Sequence, residues 1–167
     1  MGDREDFAYR KRVYVETTIP SFYFENRQEP DMVARREWTR QWWDGKARLM
    51  EVVTSLAVVE ELEQGDHPNK SAALELIADL PLLPVVPAVD VIVEAYIRYH
   101  VMPADPRGDA LHLALASYHH CHFLVTWNCN HLANANKFEH IRYVNAELGL
   151  CSPILTTPVE LLATEGE

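Results

Sequence analysis

Val13-Tyr14-Val15-Glu16-Thr17-Thr18 passes directly from an apolar strand to a carboxylate and two hydroxyls. A carboxylate just beyond a buried strand costs free energy unless a cation or a hydrogen-bond donor compensates it. Three further segments have the same character: Thr54-Ser55 with Glu60-Glu61-Leu62, Gly108-Asp109-Ala110-Leu111-His112, and Val125-Thr126-Trp127-Asn128. Each stands where a hydrophobic run ends or a helix begins. One divalent metal site compensates several such groups drawn from distant segments.

The pattern around these segments alternates in kind. Arg12 to Val15 reads as a strand, followed by a Thr-Thr-Ile-Pro turn and an aromatic helix start from Ser21 to Glu25. Asn26 to Glu29 breaks the chain before a helix from Pro30 to Lys46. Leu49 to Thr54 is strand-like; Ser55 is placed to cap a helix to Gln64 that Gly65 stops. A helix from Asn69 to Leu80 ends at Pro81. Leu82 to Val86 reads as a short buried strand and Val89 to His100 as a helix. A Pro- and Asp-rich loop, Met102 to Gly108, opens onto a helix from Asp109 to His119. His122 to Thr126 is a strand, a polar loop with a helical turn runs through Asn136, and Ile154-Leu155 makes a last strand before an exposed tail.

Strands alternating with helices predict an α/β fold, a three-layer α/β/α sandwich with a short, mainly parallel sheet. In such sheets functional groups collect beyond the carboxyl ends of the strands. Glu16, Asn128 and Asp109 are placed to converge there. With no repeat or linker, residues 1–167 read as one domain with a core of about 12–162.

Composition narrows the class. Apolar residues are 48% and charged residues 24% of the 167, ordinary for a globular protein. No run approaches the roughly 18 apolar residues of a membrane span. The polar start Met1-Gly2-Asp3-Arg4-Glu5-Asp6 resembles neither a signal nor a transit peptide. Cys121, Cys129 and Cys151 contain no CxxC pair and suit reduced thiols, so the expected location is cytoplasmic. A net charge of −10 argues against a broad basic surface that grips nucleic acid through phosphates alone. It leaves room for a nuclease, whose clustered carboxylates a metal offsets locally.

From Val13 to Leu162 the chain resembles the PIN-domain family, especially the single-domain ribonuclease toxins of bacterial toxin–antitoxin pairs. The resemblance rests on Tyr14-Val15-Glu16-Thr17-Thr18-Ile19-Pro20-Ser21, on Asp109-Ala110-Leu111-His112-Leu113-Ala114-Leu115-Ala116, and on Phe123-Leu124-Val125-Thr126-Trp127-Asn128-Cys129-Asn130-His131-Leu132, in that order. It implies an endoribonuclease whose acidic cluster binds Mg²⁺ or Mn²⁺ and hydrolyses RNA to 5′-phosphate and 3′-hydroxyl ends. It also implies a cognate antitoxin and a homodimer. Hard divalent ions take oxygen ligands, neutralise charge at phosphorus and make water a better nucleophile.

The resemblance implies metal ligands at Glu16, Glu61 and Asp109, with Asn128 completing the catalytic set. Glu16 stands where the family usually has Asp, and its extra methylene moves the carboxylate by roughly 1.5 Å. Its plain alternative is a turn carboxylate. Glu60 competes with Glu61, but Val58, Val59 and Leu62 mark the buried face and Glu61 lies beside it. Asp109 also suits the helix dipole, but so would Asp105 or Asp90, and only Asp109 is followed by the Ala-Leu-His-Leu-Ala pattern. His112, one turn on, is a supporting group, since His suits Mg²⁺ poorly. Asn128 replaces a frequent Asp and adds no charge. Thr126 is placed to hydrogen-bond a carboxylate, and Asn130 to face the pocket or shape the turn. Glu16 and Asn128 motivate an alternative: a PIN-like binding or regulatory domain, weakly active or inactive, that acts through a protein partner.

Two other clusters compete for attention. His119-His120-Cys121-His122 has zinc-binding residue types but no spaced second pair. Trp38, Trp42 and Trp43 with Phe22, Tyr23 and Phe24 read as a core stripe, a base-stacking surface or an interface, and the interface is preferred. Lys11, Arg12, Arg35, Arg36 and Arg40 are phosphate-reaching candidates or plain surface charges.

Overall fold

The computed structural model describes residues 10–105 and 107–163. The polar amino terminus, Pro106 of the expected loop and the end of the expected tail lie outside them. β1 (Arg12–Val15), β2 (Glu51–Ser55), β3 (Leu82–Leu83), β4 (Phe123–Val125) and β5 (Ile154–Thr156) form a five-stranded sheet in the order β3-β2-β1-β4-β5. Every pairing is parallel, with Tyr14 opposite Val53 on one side and Leu124 on the other.

Helices cover both faces, giving the three-layer α/β/α sandwich. The strand period of two sorts the side chains. Val13, Val15 and Val125 enter one apolar cluster with Ile19, Phe22, Trp42 and Trp127. That cluster lies under α1 (Thr18–Tyr23), α2 (Pro30–Asp44) and α8 (Pro158–Leu162). Tyr14, Val53 and Leu124 enter the opposite cluster, under α3 (Leu56–Gln64), α4 (Lys70–Ile77), α5 (Pro87–Arg98), α6 (Arg107–Tyr118) and α7 (Ala135–Glu147). Among the described residues no helix is long and apolar enough to cross a membrane.

Several local expectations are corrected. Thr18, Ile19 and Pro20 belong to α1 rather than to a turn before it, since proline is tolerated in a helix's first turn. β3 stops at Leu83 because Pro84 has no N–H to extend the ladder, and Leu82 at this sheet edge is 50% exposed rather than buried. The loop after β4 continues into α7, and the tail folds back as α8. The aromatic stripe expected as an interface is largely core. Trp42 is fully buried, Phe22 nearly so, and Trp38 stacks on Trp127 with ring centroids 6.1 Å apart. Arg35 lies over the Trp127 ring, Arg40 over Tyr23, and Arg12 pairs with Glu51.

Candidate active site

All strands run the same way, so the residues that follow β1, β2 and β4 reach one edge of the sheet. β1 leads outward to β2 and β3, while β4 leads outward to β5 on its other side. This makes the β1/β4 boundary a topological switch point, where side chains from separate loops meet. Glu16 emerges from β1 and is 4% exposed. Its Oε1 accepts from the Thr18 amide at 3.0 Å and from the Thr18 hydroxyl. The same hydroxyl accepts from the Trp127 amide at 2.8 Å, which ties the β1 and β4 exits together. Burial raises the Glu16 pKa, against the lowering effects of His112, Thr18 and Thr126.

Glu61 comes from α3, with its neighbour Glu60 exposed. Glu61 Oε1 meets His112 Nε2 at 2.9 Å, and its Oε2 accepts from the Thr17 hydroxyl. His112 Nδ1 meets the Tyr14 hydroxyl at 2.7 Å, and that hydroxyl meets Ser55 Oγ at 2.7 Å. A chain of hydrogen bonds thus runs from the β2 end through the core to the Glu61 carboxylate. Burial pushes the His112 pKa down, but Glu61, Glu16 and Asp109 outweigh it and hold the imidazole's pKa above its ordinary value. All three carboxylates therefore act on one ring. Burial likewise opposes ionisation of Glu61, but His112 and the Thr17 hydroxyl, each bonded to one of its oxygens, outweigh burial and lower the Glu61 pKa. Gly108 makes room for this arrangement, since a Cβ there would stand 2.6 Å from Glu61 Oε1.

Asp109 lies in the first turn of α6 and is 8% exposed. Asn128 Nδ2 donates to its Oδ1 at 3.2 Å, while its buried Oδ2 has no partner among the described residues. Burial raises the Asp109 pKa, offset by His112, His131 and Asn128. The carbonyl oxygen of the Asn128 side chain accepts from the Asn130 and His131 amides at 3.2 and 3.1 Å. Asn128 is thus both a turn former and a donor to Asp109. Thr126 Oγ1 accepts from the Asn128 amide at 2.9 Å. Asn130 is exposed, and its carbonyl accepts from Asn134; it shapes the turn.

The structure therefore brings Glu16, Glu61, Asp109, His112, Thr126 and Asn128 to one sheet edge, with Glu60 and Asn130 exposed. Thr17, Thr18 and Tyr14 join them without having been assigned roles from sequence, and Ser55, expected as a helix cap, makes no side-chain cap bond and meets the Tyr14 hydroxyl instead. The Thr pair directly after a strand-end carboxylate was the available signal. By donor chemistry the three carboxylates and the partnerless Asp109 oxygen fit a hard divalent ion. Among the described residues, no three His, Cys, Asp or Glu side chains are gathered into a ready metal-holding group. The histidine tract is dispersed: His119 Nε2 meets the Pro84 carbonyl, His122 Nδ1 accepts from the Arg12 amide, and His120 has a φ of 56° at the end of α6. No family model and no curated protein matches this chain.

Proposed function

We propose that the protein is a cytoplasmic, Mg²⁺- or Mn²⁺-dependent endoribonuclease of PIN type, a toxin with a cognate antitoxin, working as a closed twofold pair. The observation that carries the metal site is the buried Asp109 carboxylate: among the described residues its Oδ2 has no hydrogen-bond partner, and the nearby charge of Glu61 opposes its ionisation. Two carboxylates whose burial disfavours their ionised forms are a standing demand for positive charge. RNA as the substrate is carried by the resemblance of the Glu16, Asp109 and Asn128 segments to the family.

Glu16, Glu61 and Asp109 would hold the ion. Bound there, it would supply the charge that offsets the phosphate and the acidity that makes water a nucleophile. Thr18 and Thr126 orient Glu16, and His112 and Thr17 orient Glu61. Asn128 fixes Asp109 and leaves its second oxygen for the cation. The second reading, an inactive binding or regulatory domain, is favoured by the engagement of both Glu61 oxygens within the protein. Incubating purified protein with end-labelled single-stranded RNA, with Mn²⁺ or with EDTA, separates the two. The nuclease reading expects Mn²⁺-dependent fragments with 5′-phosphate ends. Intact RNA at every Mn²⁺ concentration favours the binding domain.

A further inference from the structure

Lys137 occupies the first turn of α7, the end of the helix dipole at which a cation is disfavoured. Its side chain is half-buried, and its Nζ lies 4.0 Å from Met102 Sδ, a weak thioether acceptor. Among the described residues no carboxylate comes within 4.0 Å of that ammonium. Burial lowers its pKa while the charge of Asp109 pulls it back up. The lysine feels Asp109 without pairing with it.

Its place is held by a short series of contacts that begins at Asp109 itself. Asn128 donates to Asp109 Oδ1 at 3.2 Å, and the Asn128 carbonyl accepts from the Ala133 amide at 2.9 Å. The Asn134 side chain then caps α7 by accepting from the Asn136 amide at 3.0 Å, and the Lys137 amide bonds the Asn134 carbonyl at 2.9 Å. The loop that positions Asn128 thus delivers Lys137 to the same end of α6. A structural ion pair does not explain the residue, and neither does the helix dipole. A half-buried cation with no counter-ion among the described residues, within reach of the Asp109 charge in a chain of net charge −10, is suited to an anion brought from outside.

We propose that Lys137 is a substrate-contacting residue of this site, its ammonium receiving a non-bridging phosphate oxygen of the RNA backbone while the neighbouring carboxylates hold the cation. The assignment rests on the nuclease reading and adds to it the group that draws a polyanion towards an acidic pocket.

The test compares Lys137→Gln and Lys137→Arg with wild type. Anisotropy is measured on a labelled 2′-O-methyl single-stranded RNA, which keeps both non-bridging phosphate oxygens, across a KCl series in Mn²⁺, with Mn²⁺ binding followed separately by calorimetry. Loss of one phosphate contact reduces the magnitude of the slope of log K against log salt by about 0.7 for a single strand. Lys137→Gln is expected to show that reduction, and Lys137→Arg to keep the wild-type slope. Mn²⁺ affinity in Lys137→Gln is expected to hold or rise, since a competing cation beside Asp109 is gone. An unchanged slope in Lys137→Gln, with wild type binding RNA normally, overturns the lysine assignment alone. Equal losses of Mn²⁺ and RNA affinity mark a structural role and overturn it as well. If wild type binds neither Mn²⁺ nor RNA, the nuclease reading fails and takes this assignment with it.

Discussion

Glu16 and Glu61 carry the same side chain, and their surroundings move them in opposite directions. Burial dominates at Glu16 and raises its pKa, whereas His112 and Thr17 overcome burial at Glu61 and lower its pKa. Asp109 follows Glu16, with an oxygen left unpaired. Asp109→Asn removes that uncompensated charge and keeps the shape. It is expected to raise the melting temperature of the metal-free protein, by about 2–4 °C for each kcal/mol relieved. It is also expected to abolish any further rise on adding Mn²⁺. Thermal melts with and without Mn²⁺ check both, and a variant that melts lower than wild type without metal contradicts the account. Gly108→Ala would bring a methyl group to the Glu61 carboxylate, the yielding end of a flexible side chain. The variant is expected to fold normally but to alter the His112 ring signals in NMR spectra. RNA cleavage is expected to fall by as much as about 10²-fold, the scale of a small misplacement of a catalytic group.

At the scale of elements, α6 joins the core to the site through His112. Its folded pKa is raised above 6.5 and that of Glu61 is lowered below 4.5. The His112 contribution to stability is complete below 6.5 and is lost as pH rises through its raised value; that of Glu61 is complete above 4.5 and is lost as pH falls through its lowered value. The stability advantage of wild type over His112→Asn is therefore greatest between these limits. About 1–2 kcal/mol is expected, because the Glu61 side chain is 38% exposed and partly screened. Denaturant unfolding of both proteins from pH 5 to pH 9 measures it, and a pH-independent difference contradicts it. The α/β alternation and the Glu16 carboxylate at the end of β1 were legible in the sequence, because a sheet buried on both faces demands apolar strands and leaves polar groups to its ends. α7 was not, because Ala135–Glu147 buries only Ile141, Val144 and Asn145 and carries a weak apolar stripe. α8 had a readable signal in Thr157 and Glu160, the two ends of a capping box, but its few residues gave no periodicity.

The whole molecule is organised around a sheet whose two faces carry separate apolar clusters, with the acidic edge at the strand ends between them. The aromatic residues of α2 were the least legible feature, since a helix with Trp at i and i+4 reads equally as core or interface until its neighbours are known. Trp42 fills the cluster beneath α2, so Trp42→Ala is expected to cost about 3–5 kcal/mol in denaturant unfolding. Light scattering is expected to give the same assembly state as wild type for whatever fraction remains folded. A change of assembly without loss of stability would return Trp42 to an interface. Charge is the other global variable. Asn128→Asp loses the donor to Asp109 and adds a carboxylate to the same edge, so Mn²⁺ is expected to bind this variant more tightly than wild type. Whether Asp109 holds a catalytic metal is decided by the rate of cleavage of one single-stranded RNA across a Mn²⁺ series by wild type and Asp109→Asn. Wild type is expected to cleave in a Mn²⁺-dependent way and the variant to lose that cleavage by about 10²-fold or more, the scale of about 3 kcal/mol of transition-state stabilisation. Equal cleavage by the two proteins, or none by wild type at any Mn²⁺ concentration, would contradict that role for Asp109.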